Sequence, residues 1–329
     1  MGTKTKIEWT DATWNPFMGC SRVSEGCRHC YAERIAGRFG GQLVKSKVYG
    51  ELTQIVNGVP VWSGVLKQTS VDARTAPLHW RKPRRVFVNS MSDLFHENAP
   101  DEWIDDAFAV MALCPQHKFQ ILTKRPERML TYILQAQPQV WDAITRIPRR
   151  TVNRIGGKPL FTWPLPNVWL GVSVEHQKAA DERIPLLLRT PATVRFISAE
   201  PLLGPLDLQW AVSRNRLEIG AGFLRRGMFA PGLETIRPLD WVICGGESGP
   251  GARVMSPSWA RSLRDQCVSA GVPFFFKQWG EFAPGPHPTD PSKEIPIHCS
   301  MGGLMHHAGK KAAGSLLDGR EWKEFPCPR

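Results

Sequence analysis

Arg85-Val86-Phe87-Val88 runs directly into Asn89-Ser90-Met91-Ser92-Asp93. Four β-branched, aromatic or basic residues suit a strand buried on both faces, and the small polar residues after them suit a turn at its carboxyl end. The same grammar recurs along the chain. Phe119-Gln120-Ile121-Leu122 leads into Thr123-Lys124-Arg125, and Val168-Trp169-Leu170-Gly171-Val172 into Ser173-Val174-Glu175. Val194-Arg195-Phe196-Ile197 leads into Ser198-Ala199-Glu200-Pro201, and Trp241-Val242-Ile243-Cys244 into Gly245-Gly246-Glu247-Ser248. Pro273-Phe274-Phe275-Phe276 then leads into Lys277-Gln278-Trp279. Between several of these runs helical spacing returns. Pro100-Asp101-Glu102 opens one such segment, with Trp103, Ile104, Ala107, Phe108, Val110 and Met111 on its apolar side; Ala179 to Leu188 and Ser258 to Ala270 read the same way, with Gly271 as a stop. Strand–helix alternation predicts an α/β fold: a parallel sheet, partly or fully closed into a (β/α) barrel by right-handed crossovers. Chemistry in such barrels gathers at the carboxyl ends of the strands, where this chain repeatedly places Ser, Asp, Thr, Lys, Glu and Gly.

Three segments interrupt the rhythm. Gly40 to Thr69, Gln135 to Pro166 and Gln209 to Pro238 exceed ordinary connections and are expected to hold insertions. The last carries Arg214, Arg216, Arg225, Arg226 and Arg237 with Gly220, Gly222 and Gly227 between them, the composition of a basic flap or of a solvated loop. After Trp279 the chain turns rich in Pro, Gly and His. The expected organisation is a barrel over 1–283 with a small C-terminal extension over 284–329.

The 329 residues are 42% hydrophobic and 22% charged, ordinary for a globular protein with a sizeable core. No stretch reaches the ~18 apolar residues of a membrane span. Met1-Gly2-Thr3-Lys4-Thr5-Lys6 runs into Ile7-Glu8-Trp9 without a signal-peptide core, so a cytoplasmic location is expected and no membrane partner. The formal charge of +12 points to a polyanionic partner, a nucleic acid or nucleotide, with basicity for solubility alone as the alternative.

Of eight cysteines, three are crowded into Cys20-Ser21-Arg22-Val23-Ser24-Glu25-Gly26-Cys27-Arg28-His29-Cys30, spaced C-x6-C-x2-C. Clustering of this kind in a reducing compartment indicates metal or catalysis rather than disulfides. Three thiolates suit either a zinc wanting a fourth ligand or an iron–sulfur cluster with one open iron. No second cysteine pair or nearby His-x3-5-His completes a zinc site, and His29 lies between two ligands. An open iron is able to chelate the amino and carboxylate groups of S-adenosylmethionine (SAM), whose reductive cleavage starts radical chemistry. Cys114 and Cys267, on helical segments, read as small buried hydrophobes. His298, Cys299, His306, His307 and Cys327 match no standard metal set. Trp103 and Trp169 read as core, and Trp279 as a platform for a base.

Asn15-Pro16-Phe17-Met18-Gly19-Cys20, followed by Gly26-Cys27-Arg28-His29-Cys30-Tyr31-Ala32, resembles the cluster loop of radical SAM proteins of the spore photoproduct lyase type. Ser92-Asp93 with Glu97, Leu122-Thr123-Lys124, Ser173-Val174-Glu175 with Asp181-Glu182-Arg183, and Ser198-Ala199-Glu200-Pro201-Leu202-Leu203-Gly204 extend the resemblance. From Ile7-Glu8-Trp9-Thr10-Asp11 to Gly319-Arg320-Glu321-Trp322-Lys323-Glu324-Phe325-Pro326, the chain is similar to a phage-associated three-cysteine family of largely unassigned function. The resemblance implies a partial or closed barrel of the radical SAM type. A [4Fe–4S] cluster would sit on Cys20, Cys27 and Cys30, with SAM as second cofactor and a flavodoxin- or ferredoxin-like electron donor.

In that reading His29 takes the place of an aromatic residue near the adenine. Lys124 faces the SAM carboxylate, and Asp93 or Glu175 its amino group or ribose. Asn89, Ser92, Thr123, Ser173, Ser198, Glu200, Gly245, Gly246 and Glu247 complete the strand-end contacts to SAM or substrate. Tyr31 and Glu200 are the catalytic candidates. Two departures stand out: the first cysteine gap is six residues rather than three, and Gly245-Gly246-Glu247 falls late in the chain, after the run Trp241 to Cys244, whereas the family's Gly-Gly-Glu follows the second strand. The function expected is radical modification or repair of a nucleic-acid base or nucleotide. The alternatives are a nucleic-acid-binding protein with a structural metal and an iron–sulfur redox protein without SAM.

Overall fold

The computed structural model describes residues 5–40, 48–147, 161–212, 238–297 and 303–327. Seven strands form one sheet: β1 (Ala12–Trp14), β2 (Arg85–Val88), β3 (Lys118–Thr123), β4 (Val168–Ser173), β5 (Val194–Ala199), β6 (Trp241–Gly245) and β7 (Phe274–Gln278). They lie side by side in chain order. Ala12 pairs with Val86, Val86 with Phe119, Phe196 with Trp241, and Val242 with Phe274, all in parallel. The arrangement is consistent with a partial parallel barrel. β4 and β6 are buried at every residue, which is why both appear as unbroken apolar runs.

Six of these strands are the six runs visible in the sequence. The seventh, Ala12-Thr13-Trp14, has three residues, too few to show a period. The helices are α1 (Tyr31–Gly40), α2 (Asp101–Ala112), α3 (Pro126–Gln135), α4 (Gln137–Arg146), α5 (Gln177–Arg189) and α6 (Pro257–Ala270). α6 stops where expected, with Gly271 at φ +63° and its N–H on the Val268 carbonyl. Gln135 to Pro166, expected to carry an insertion, includes α4, which packs on α2 and buries Val140, Ala143 and Ile144; residues 148–160 lie outside the described residues. Gly40 to Thr69 does carry an insertion, the hairpin of Thr53–Val56 and Val59–Trp62.

The chain divides into two compact units. The first holds the chain up to Gly171 with Thr190–Thr193; the second holds Val172–Arg189 and the chain from Val194. In the first unit, Trp14 meets Phe119 and Phe17 meets Trp103, with ring centroids 5.8 and 5.6 Å apart. In the second, Phe274, Phe275 and Phe276 of β7 are all buried. The chain's last described segment covers the outer edge of β7: Phe276 N–H donates to the Trp322 carbonyl, and Phe325 packs on Trp241 and Phe275. An exposed strand edge invites pairing with other chains, and the segment Trp322 to Phe325 prevents this. The 284–327 region, expected as an extension, belongs to this second unit, with a three-stranded antiparallel sheet of Phe282–Pro284, Leu304–His307 and Glu294–Pro296. No helix among the described residues is long and apolar enough to cross a membrane.

Gly245 and Gly246 differ in what they do. A Cβ on Gly246 would overlap the Trp279 carbonyl, so this glycine lets two stretches of backbone touch rather than leaving room for a ligand. A Cβ on Gly245 would sit 3.5 Å from Glu200 and Lys277, an ordinary contact. Gly246→Ala should therefore destabilise the fold by about 2 kcal/mol or more, whereas Gly245→Ala should change stability by no more than about 1 kcal/mol. Urea midpoints of the two variants check this; equal effects would contradict it.

Candidate functional site

The cysteine loop is held from both ends. Its stem, Phe17–Met18, pairs antiparallel with Lys67–Gln68. Asn15, almost fully buried, accepts the Met91 N–H on Oδ1 at 2.9 Å, which binds the stem to the turn after β2. Gly19, at φ +102°, donates its N–H to the Met91 carbonyl, and a Cβ there would overlap the Val65 carbonyl. The Asn-Pro-x-x-Gly-Cys pattern is thus a backbone requirement of this turn. At the far end, Glu33 of α1 is 2% exposed and accepts from Arg22 Nε at 3.0 Å, Arg22 Nη2 at 2.6 Å and the Trp62 N–H at 2.7 Å. Between them Glu25–Cys27 makes one 3-10 turn, and the Cys30 N–H returns to the Cys27 carbonyl.

Arg125, the residue after Thr123-Lys124 at the end of β3, ties this loop to the strand ends. Its Nη1 donates to Asp93 Oδ2 at 3.1 Å, and its Nε and Nη2 to Glu97. Nη2 also reaches Ser21 Oγ at 2.7 Å, and Nη1 lies 4.0 Å from Cys20 Sγ. Ser21 Oγ in turn donates to Glu97 Oε1 at 2.8 Å. Asp93 is the hub: Oδ1 accepts from the Phe95 N–H and Thr123 Oγ1, Oδ2 from the Lys124 N–H and Arg125. Its acceptor positions are filled by the protein itself.

The electrostatics follow from burial and from Arg125. Desolvation alone would raise the Glu97 carboxyl, but the Arg125 guanidinium, helped by a backbone N–H and Ser21, brings it down to about 2. Burial pushes the Cys20 thiol up to about 12, with the Asp93 charge adding to the rise and Arg125 opposing it. Cys30 is raised by burial too. Cys20 and Cys30 both pack against the apolar cluster of Met18, Ala32, Ala36, Leu52, Trp62 and Met91. All three are free thiols. Among the described residues no group of three or more His, Cys, Asp or Glu side chains stands ready to hold an ion. Ligation on these thiols requires their protons to leave. Burial also lowers His96: its Nδ1 accepts the Asn98 N–H, so the ring proton is on Nε2, 3.6 Å from Glu97 Oε1.

The first unit therefore brings Cys20 together with Asp93 and Thr123 through Arg125, while Cys27 and Cys30 follow on the same loop. Asn89 is held in the left-handed region at φ +59° and is 2% exposed. Its Nδ2 donates to Ser92 Oγ, which donates on to the Phe17 carbonyl at 3.1 Å. Asn89 Oδ1 is buried and has no hydrogen-bond partner among the described residues. His29 and Lys124 are half-buried. Tyr31 is 43% exposed and donates its hydroxyl to the Ser90 carbonyl at 2.8 Å.

In the second unit, several expected contacts are committed elsewhere. Glu175, fully buried, accepts from Arg183 Nη1 at 3.0 Å, and the same nitrogen reaches the Ser173 carbonyl at 2.7 Å. Ser198 is 2% exposed, and its backbone carbonyl accepts the Val174 N–H. Glu200 pairs with Lys277 of β7. Glu247 receives the Arg253 backbone N–H, Nε and Nη2, a clamp on its own loop. Trp279 is 3% exposed and donates its indole N–H to the Leu316 carbonyl, a packing position rather than an open stacking platform. Arg214, Arg216, Arg225, Arg226 and Arg237, and likewise His298 and Cys299, lie outside the described residues.

Arg125, Ser21, Arg22, Glu33 and Asn15 carry no site role in the sequence reading. Only Asn15 had a signal, its place in the Asn-Pro motif; Arg125 hid behind Lys124, its more obvious neighbour.

Because the Glu97 carboxyl is lower in the folded chain than its ordinary 4.5, its contribution is complete above about pH 4.5 and disappears as pH falls toward about 2. Urea midpoints measured from pH 6 to pH 2.5 should fall in that window, and Glu97→Gln should remove part of the fall. An identical profile for the variant would refute the clamp.

Residues 4–326 match a protein family described as "Protein of unknown function (DUF5131)". No curated protein and no solved structure matches the chain. With the match running over nearly its whole length, the chain belongs to the DUF5131 family.

Proposed function

We propose that this protein carries a [4Fe–4S] cluster on Cys20, Cys27 and Cys30 and uses it to cleave SAM, generating a radical that modifies or repairs a nucleic-acid base or nucleotide. The observation that carries the reading is the cysteine loop itself: three thiols in one short loop, fastened by Arg125 to the carboxyl end of a strand in a parallel sheet. That is where α/β barrels keep their chemistry. The donor set fits the group, since three thiols of one loop leave one iron without a protein ligand. When bound, such a cluster supplies an open coordination position and an electron, delivered by a flavodoxin- or ferredoxin-like donor.

The chain's own residues have definable parts. Arg125, charged at any accessible pH, offsets the negative charge that thiolates and sulfides bring to the loop. Asn89 Oδ1, a buried acceptor without a partner among the described residues, suits an ammonium donor such as the SAM amino group. Asp93 acts by positioning Thr123, the Lys124 backbone and Arg125. The net charge of +12 supports a polyanionic substrate.

Protein purified without oxygen, then reconstituted with iron and sulfide, should contain about four irons and four sulfides per chain. With SAM and dithionite it should release 5′-deoxyadenosine. Cys20→Ala, Cys27→Ala and Cys30→Ala should each lose the iron, and Cys114→Ala should keep it. Stoichiometric zinc without iron would replace this reading with a structural metal site. A full cluster that never yields 5′-deoxyadenosine would replace it with electron transfer alone.

A further inference from the structure

The first unit contains a cleft to which none of the residues discussed as cysteine ligands or strand-end contacts contributes. It has a volume of about 270 Å³ and is lined by β1, the Phe17–Met18 stem, the short helix Val71–Arg74, α2 and α4. Its walls are mainly apolar, with Trp14, Phe17, Trp103 and Val110 among them, and Phe17 and Trp103 are in ring contact. Two arginines line it, and they differ. Arg146 is paired with Asp106 at 3.0 Å. Arg74 has no carboxylate partner among the described residues, and its Nε is buried without a hydrogen bond.

A guanidinium does not lose its charge at any accessible pH, so burial cannot relieve it by deprotonation. A buried donor left unpaired forfeits the hydrogen bond it had with water, and a charged donor forfeits more. The missing acceptor is best supplied by a ligand that also fills the apolar walls. Glu102 and Asp106 line the same cleft and disfavour a doubly charged group such as a phosphate monoester. Asp106 is matched by Arg146 and Glu102 is exposed to water, so Arg74 is the cation of this cleft without a carboxylate partner among the described residues, and a single negative charge matches it. The volume admits a body of roughly ten non-hydrogen atoms, at the small end of ligand sites.

We propose that this cleft binds a small organic monocarboxylate with a flat apolar body, its carboxylate seated on Arg74. The inference is independent of the cluster and of SAM.

The test is calorimetric titration of the full chain with 3-phenylpropionate and with its neutral isostere, 3-phenylpropionamide. The acid should saturate a single site with Kd of about 1 mM or tighter. The amide should bind at least about tenfold more weakly, because it cannot form the charge-assisted pair. Arg74→Gln should reduce the acid to the level of the amide, and Arg74→Lys should recover part of the difference. Equal binding of acid and amide to the unaltered protein would overturn the proposal even if the variants failed to fold. Undiminished acid binding by folded Arg74→Gln would overturn it too, as would no saturable acid binding up to about 10 mM.

Discussion

The guanidinium of Arg125 joins three pieces of chain that are distant in sequence: the end of β3, the turn after β2, and the start of the cysteine loop. An arginine side chain only 9% exposed is costly to desolvate, and it is tolerated here because its donors meet Asp93, Glu97 and Ser21. Such a buried pair adds little net stability, but breaking it by removing one partner costs about 3–5 kcal/mol. Its value is positional: a planar fork of donors fixes direction as well as distance. The loop that carries Cys20 is thereby set against a rigid strand end instead of being left to its own eleven residues.

The other attachments of the loop follow the same pattern of short polar reach from a fixed element. Asn15 and Gly19 bind its stem to the turn after β2, and Arg22 reaches Glu33 on α1. None of these groups is a ligand in any reading of the site. They fasten the loop to fixed elements on both sides. A hydrophobic cluster of Met18, Ala32, Ala36, Leu52, Trp62 and Met91 lies beneath, with Cys20 and Cys30 packed against it. Cys20 and Cys30 therefore sit where burial disfavours the charged form of a thiol.

The fold was largely legible because strands buried on both faces announce themselves as apolar runs, as Trp241 to Cys244 does. β1 was not, since three residues carry no period, and α4 was missed because its apolar positions lie within a long segment between two strong strands. Of the candidate site, only the cysteine cluster stands out in the sequence. Cys20, Cys27 and Cys30 declare themselves by spacing. Whether a carboxylate is free or already engaged depends on long-range partners, and no local pattern tells Asp93 or Glu175 from an open ligand. Asp93 meets Arg125 across 32 residues, and Glu175 meets Arg183 one face of a helix away.

Arg125 orders the cysteine loop, and amide hydrogen exchange of the full chain measures that order directly. Compared with the unaltered protein, Arg125→Gln should accelerate exchange across residues 20–30 by at least about tenfold, which corresponds to about 1.4 kcal/mol of lost local protection. Exchange in β3 and α2 should stay slow. Unchanged protection across 20–30 in a folded Arg125→Gln variant would show that the loop is ordered without Arg125.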